Sequence, residues 1–381
     1  MGYANVNPRM REGIDMSVSS MGGGVGFAPQ AAKVAGGTFT PASYTWRRLR
    51  APTVDLGAIE FNQNFPMEIS GFLTPTGPYK GGAFFGGTID MLPRTESIMG
   101  LLYYALMGEL STVTGKDMDG ASVGGVNTHI FKYNALNTIP WLAVRSVIPG
   151  STASETLAQY GYDCMINAMQ FRMTATGKMT ARVGVVGRVP QWEKNPTLTW
   201  DNALEDDTTV PQACDTIFSM GANSPKVTSV QMDVVNTLSS PQQEMIFGSR
   251  HPDSFTPLAR SVSLRVMTKW ETPADLLQAL TNSPTGTAWS PEPQISTGID
   301  HSPFGFNFQA SAPAMIAGST PYAFALRGSR AVWLKDGNPT MTAGGMVMQA
   351  FTLQLATSLV GDDYCRLILQ NDASNASYAW T

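Results

Sequence analysis

The chain has 381 residues, 43% of them hydrophobic, so sizeable cores can form, yet only 14% are charged, against roughly 25% in an average soluble protein. Lys and Arg total 25 and Asp and Glu 29, a net charge of −4 that argues against a strongly basic nucleic-acid surface. Three widely spaced cysteines offer neither a paired disulfide framework nor a Cys-x-x-Cys zinc half-site, and the longest apolar stretch, Ile98 to Met107, is far short of the ~20 residues of a membrane helix.

Residues 1–37, with the run Met21-Gly22-Gly23-Gly24-Val25-Gly26, read as a flexible arm. They lack the continuous apolar region of a signal peptide, so synthesis in a reducing cytoplasm is the expectation. Arg47-Arg48-Leu49-Arg50, the one compact basic cluster, reads as a local salt-bridge or partner contact. Strand-like sequence begins at Val54 to Phe65. The Gly/Pro-rich stretch from Gly71 to Gly87 reads as a projecting hairpin or loop, with Tyr79 within it and Phe84 and Phe85 at its tip. A short helix over Glu96 to Met107 follows, with Thr95 or Ser97 as N-cap, and then a glycine-rich loop over 108–127.

Met169, Phe171 and Met173 alternate with polar residues, turn at Thr176-Gly177-Lys178, and return through Met179, Ala181, Val183 and Val185 as a hairpin. Residues 191–226, with several prolines and the run Glu205-Asp206-Asp207, read as a crossover. The second half restarts at Val230, Met232 and Val234 and continues through Val262, Leu264 and Val266. A helix capped by Thr272, with Pro273 at its first position, comes next. Alternation resumes at Phe304 to Phe308 and Tyr322 to Leu326, and a last hairpin pairs Phe351–Leu355 with Cys365, Leu367 and Leu369.

The second half thus repeats the organisation of the first. Glu96 and Leu101-Leu102 map onto Glu271 and Leu276-Leu277 at an offset of 175, and Gly71 and Pro75 map onto Gly248 and Pro252 at 177. Phe131, Ala135 and Ile139 map onto Phe308, Ala312 and Ile316 at 177, and Met169, Phe171 and Met173 onto Phe351, Leu353 and Leu355 at 182. A real duplication accounts for matches that keep one order with a slowly drifting offset.

Catalytic chemistry is sparse. Gly120-Ala121-Ser122-Val123-Gly124 matches a nucleophile-elbow pattern, but it lies in a soft polar loop without the strand and helix that expose a strained serine. His129, His251 and His301 are the only histidines and show no metal-ligand spacing; His251-Pro252-Asp253 reads as a capped turn before it reads as a ligand pair. No nucleotide-cradling glycine loop occurs, so no catalytic, cofactor or metal residue is expected. Eight tryptophans sit mostly beside loops, where they serve an interface or the core before they serve as a sugar or base platform. Low charge with an ordinary core points to a surface covered by neighbours, because buried Lys, Glu and Asp carry a desolvation cost. The interface candidates are Phe84, Phe85, Tyr79, Trp46, Trp141 and Trp333.

The order of Gly37-Thr38, a strand, Gly86-Gly87-Thr88-Ile89, a short helix ending Leu106-Met107-Gly108, the strand opening Thr128-His129-Ile130-Phe131, and a hairpin at Asp163-Cys164 resembles the tail tube proteins of long-tailed, siphovirus-like bacteriophages. The resemblance covers most of 37–190, with a weaker second copy over about 225–372, and its motifs are loose patterns of order. It implies a mainly β chain of two tandem β-sandwich or barrel modules, 38–190 and 227–372, each with one short flanking α-helix, and a C-terminal tail over 373–381. It implies a non-enzymatic virion subunit that closes trimeric, pseudo-hexameric rings and stacks them into a hollow tube. Its partners would then be other copies of itself, a tape measure protein in the lumen, terminator and baseplate proteins, and DNA passing without sequence-specific contacts; no membrane and no cofactor are implied. An acidic balance suits a wall that DNA slides past. The alternative is a carbohydrate-binding β-sandwich module of a virion fibre or baseplate using loop tryptophans, and a hydrolase depending on Ser122 ranks third.

Overall fold

Period-two alternation dominates the chain, and the protein is mainly β with a large antiparallel sheet. The computed structural model describes residues 23–34, 39–61, 82–134, 138–201, 206–281, 304–336, 339–341, 343, 345–355 and 365–378. In chain order the elements are β1 (Gly24–Gln30), β2 (Arg47–Leu49), β3 (Thr53–Glu60), β4 (Ala83–Met91), α1 (Ser97–Met107), β5 (Gly108–Lys116), β6 (Ser122–Tyr133), β7 (Trp141–Ile148), β8 (Leu157–Thr174) and β9 (Thr180–Lys194). They continue as β10 (Thr216–Met220), β11 (Val227–Leu238), β12 (Pro257–Lys269), α2 (Ala274–Thr281), β13 (Phe304–Ala317), β14 (Thr320–Asp336), β15 (Met348–Leu355) and β16 (Arg366–Asn371).

The two halves pair their strands in the same order. In the first, β3 pairs β4, β4 pairs β9, β9 pairs β8 and β8 pairs β7. In the second, β11 pairs β12, β12 pairs β15, β15 pairs β14 and β14 pairs β13. Each helix follows the second strand of its half. Two register irregularities recur as well. Leu142 faces Cys164 but Val144 faces Gly161; correspondingly, Phe304 faces Ala331 but Phe306 faces Gly328. Ile166 faces Val185 but Ala168 faces Gly184; correspondingly, Trp333 faces Leu353 but Lys335 faces Thr352. Every β8 residue in these pairs maps to β14 at an offset of 167 (161 to 328, 168 to 335). The bulges bend both long strands at equivalent points. At each bend a phenylalanine ring fills the space of a missing side chain. A Cβ on Gly161 would lie 2.1 Å from Phe85, and one on Gly328 would lie 2.3 Å from Phe306.

The halves are joined by backbone pairing. Ala168–Thr174 of β8 pair with Val235–Ser229 of β11, and β16 pairs β6. They also share one hydrophobic core, to which β8, β11, β12 and β14 all contribute. Helix α1 lies inside it: Ile98, Met99, Leu101, Leu102, Tyr103, Ala105, Leu106 and Met107 are all buried, so it has no solvated stripe. The second half donates to a carbonyl in its last turn and to one just before its first. Asn236 Nδ2 donates to Leu106 O (2.8 Å), and Asn371 Nδ2 donates to Thr95 O (3.0 Å), just before the helix. Buried terminal carbonyls need such donors. Tyr103 of α1 lies 5.9 Å from Phe171 of β8 and 5.7 Å from Phe324 of β14 between ring centroids.

Several expectations are corrected. Residues 24–30 belong to a core strand, with Val25 and Phe27 buried, and not to a flexible arm; Gly26 is needed because a Cβ there would lie 2.3 Å from the Trp200 ring. Phe84 and Phe85 stand in β4 and not at a loop tip. Residues 108–127 form most of the β5–β6 hairpin. Asp163-Cys164 sits mid-strand in β8 and not at a hairpin turn. The proposed crossover contains the end of β9 and also β10, which pairs β13. β15 and β16 do not pair with each other; both lie on the same side of β14, doing for it what the single strand β9 does for β8. The counterpart of β8 is therefore β14 and that of β7 is β13, so the mappings of Met169–Met173 onto Phe351–Leu355 and of Phe131 onto Phe308 do not hold. Alternation alone cannot distinguish neighbouring strands of one sheet. Helix α1 starts after Glu96 with no side-chain cap, whereas Ala274 N donates to Thr272 Oγ1 (3.4 Å) as expected for α2.

Candidate functional site

Ser122 opens β6 opposite Lys116 in an exposed hairpin, where no strand-to-helix elbow surrounds it. His129 is buried, with Nδ1 2.8 Å from Thr112 Oγ1 and Nε2 3.0 Å from Asn371 Oδ1. Its hydroxyl and amide neighbours tie β6 to β5 and β16, which is a packing role. His251 Nδ1 donates to Ala83 O (2.7 Å), and Asp253 pairs with Lys33 (2.8 Å). His301 lies outside the described residues, among which no group of three metal-ligating side chains gathers.

Burial lowers the His129 pKa from 6.5, with the Asn371 contact opposing it. The unfolded chain protonates this histidine near its ordinary value, and the folded chain only at lower pH. Between the two values the unfolded state holds more protons, so stability falls as pH drops below 6.5 and the whole penalty is present below the folded value. Thermal melts from pH 7.5 to 5.5 are expected to fall more steeply for the native chain than for His129→Gln; parallel slopes would assign the acid sensitivity to another group.

The interface aromatics divide. Trp46 and Phe85 are buried within the chain and cannot anchor a partner. Trp46 belongs to a cluster with Phe39 (6.5 Å), Tyr160 (5.7 Å) and the Arg145 guanidinium, whose carbon lies 4.7 Å from Trp46 and 4.0 Å from Trp200. Burial pushes the Arg145 pKa down, and Tyr160 and Glu193 oppose that. The Tyr160 hydroxyl donates to Glu193 (2.8 Å). Trp141 is half-buried beside Ile139, Met165 and Phe255, and Phe84 is half-buried 5.6 Å from Phe61. Trp333 stands on β14 opposite Leu353, and Tyr79 lies outside the described residues.

What the fold does assemble is a polar sheet face crossing both halves. One cross-strand row runs Thr53, Asp90, Arg182, Gln170, Asp233, Ser263 and Gln354 over β3, β4, β9, β8, β11, β12 and β15. The next row includes Thr180, Arg172, Gln231, Arg265 and Thr352. The alternate positions (Ala181, Val183, Met169, Phe171, Met232, Leu264, Phe351 and Leu353 among them) point into the core. Along the first row Arg182 donates to both Asp90 oxygens (2.6 and 3.0 Å), holding that carboxyl below its ordinary pKa. Gln170 and Gln231 both donate to Asp233, the second at 2.9 Å. The amide pair on Asp233 spans the joint between halves. The face is amphipathic, with Asp90 and Arg182 forming an ion pair on it and Asp233 held by side-chain amides.

Sequence reasoning missed a second cluster. Asp163, fully buried at a left-handed φ of 52°, accepts from Val34 N (2.8 Å), Arg188 Nε (2.8 Å) and Gln30 Nε2, while its own N–H donates to Gln30 Oε1 (3.0 Å). It ties β1 and its following turn to β8 and β9. Its only sequence signal was a lone Asp among apolar residues in a strand pattern. Neither protein-family models nor curated protein sequences match this chain.

Proposed function

We propose that the protein is a structural subunit that polymerises into a hollow tube, with the polar face of the sheet as channel wall and the apolar face as the body of the ring, in the manner of phage tail tube proteins. The observation that carries this is the repeated pairing order, with both register irregularities, across halves joined edge to edge through β8 and β11. One chain thereby holds two neighbouring copies of a sheet module already docked. Copies that dock the same way extend the sheet, and a curved, twisted sheet with no free edge is a closed barrel. On this wall Arg182 is paired with Asp90, which weakens its hold on a passing polyanion, as a conduit requires. The carbohydrate-binding alternative draws on loop tryptophans, but Trp46 is buried and Trp200 stacks on Arg145.

Negative-stain micrographs of concentrated purified protein are expected to show rings with an open bore and stacks of them. A monodisperse monomer or a solid, discrete small oligomer at the same concentration would overturn the reading.

A further inference from the structure

The docking inside the chain specifies a docking between chains. In the first half β3 is the strand equivalent to β11: Val54 faces Ile89 as Val230 faces Val266, and Leu56 faces Gly87 as Met232 faces Leu264. The offset is 176 (54 to 230). β11 uses its other edge, from Ser229 to Val235, to pair β8. β3 spans the equivalent residues, and among the described strands it pairs β4 alone. In the second half, the counterpart of the β8 edge that receives β11 is the C-terminal end of β14, at Lys335 and Asp336 (168 to 335, 169 to 336). Beyond Ala331, where β13 pairing ends, no described strand pairs with that side of β14. The chain therefore carries one donor edge and one acceptor edge of the same joint, at opposite ends of the repeat.

We infer that β3 of one copy pairs antiparallel with the end of β14 of a second copy, in the register of the internal β11–β8 joint. This rests on the self-assembly reading above and names the edges that meet. Val234 faces Met169 and Val235 faces Ala168 within the chain, which places Ala58 opposite Asp336 and Ile59 opposite Lys335 of the neighbour. The backbone of β3 already shows the need for this partner. With its amide oriented for bonding, Gln159 donates to Leu56 O (3.1 Å) and accepts from Ala58 N (2.8 Å). Met232 and Val234, the β11 equivalents of these residues, face Phe171 and Met169 of β8. The glutamine side chain thus plugs the edge in the lone chain and gives way to a strand in the assembly, a near-even exchange of hydrogen bonds.

Disulfide trapping between singly substituted chains tests the register. In a Cys214→Ser background, Ala58→Cys protein is mixed with Asp336→Cys protein, and separately Ile59→Cys with Lys335→Cys. Of two successive opposed pairs in an antiparallel ladder one is the close, non-hydrogen-bonded kind, so at least one mixture has disulfide-forming geometry. Oxidation is expected to convert most of one mixture to a covalent dimer, while Ile59→Cys with Thr340→Cys, out of register, gives none. Melting temperatures of the single variants identify any that fail to fold, and the second pair then carries the test. Rings of unsubstituted protein in the micrographs with no trapping in either folded mixture would overturn this joint and leave the tube reading standing. Trapping in register without rings would support the joint and overturn the tube; neither result would overturn both.

Discussion

Phe171→Ala is expected to destabilise the protein by about 4 kcal/mol, in the range for truncating a fully buried phenylalanine. The ring lies 5.9 Å from Tyr103 and 5.0 Å from Phe324, so it links β8, the buried helix and β14. Neighbours from both halves cannot collapse into the void without disturbing either joint, which keeps the cost at the upper end. The sharper expectation is cooperativity. Because the halves share a core and a sheet, Phe171→Ala shifts one denaturant transition for the whole chain. Phe324→Ala, in the other half, shifts the same transition, and a double-mutant cycle gives a coupling of about 1 kcal/mol for the ring pair. Urea unfolding followed by far-ultraviolet circular dichroism and by tryptophan fluorescence checks this. Two separated transitions, only one of them moving, would contradict the shared core.

Asp163→Ala should cost about 3–5 kcal/mol, the typical loss when one member of a buried ion pair is removed. The substitution strands Arg188, whose side chain is only 12% exposed, and takes the acceptor from Val34 N and Gln30. It also places alanine at a φ of 52°, which aspartate and asparagine tolerate better. Asp163→Asn keeps that backbone and an acceptor for Val34, so about 2 kcal/mol is expected, the loss of the charge-assisted bond to Arg188. The ordering of Ala below Asn in thermal melts is the informative result. Because Asp163 secures the turn after β1, limited proteolysis near residues 31–34 should accelerate in the alanine variant before the melting point is reached; equal rates would dissociate the cluster from β1.

The sequence was most legible where one face of a strand meets the core. Val230, Met232 and Val234, and Val262, Leu264 and Val266, alternate cleanly and fold as read, and the Met169-to-Val185 hairpin turns where Gly177 indicated. β1 was illegible because Gly24 and Gly26, which locally favour disorder, are there to let Trp200 lie against the strand, and that contact spans the first half. β5 and the start of β6 have the local sequence of a loop because their side chains are mostly polar and exposed; their order comes from pairing with each other and with β16, far away in sequence. The repeat is visible in the sequence, but alternation alone aligns its later strands one place too far. β9 is one strand in the first half, and its role is divided between β15 and β16 in the second, which shifts the count without shifting the alternation. The polar face is present in the same alternation, read from its other side, yet nothing local marks Arg182 and Asp233 as members of one row across β9, β8 and β11.

Fusing two modules into one polypeptide separates the fates of two equivalent seams. The β8–β11 seam forms within a molecule and does not dissociate on dilution, so selection could load it with Met232, Val234 and Phe171 without an aggregation hazard. In the proposed assembly its counterpart lies at β3, which Gln159 holds in the lone chain and which carries Asp55, Gly57 and Glu60, residues that blunt promiscuous strand addition. Mild solvent or pH stress should therefore cut an assembly only at every second boundary, releasing whole chains and never half-rings' worth of single modules.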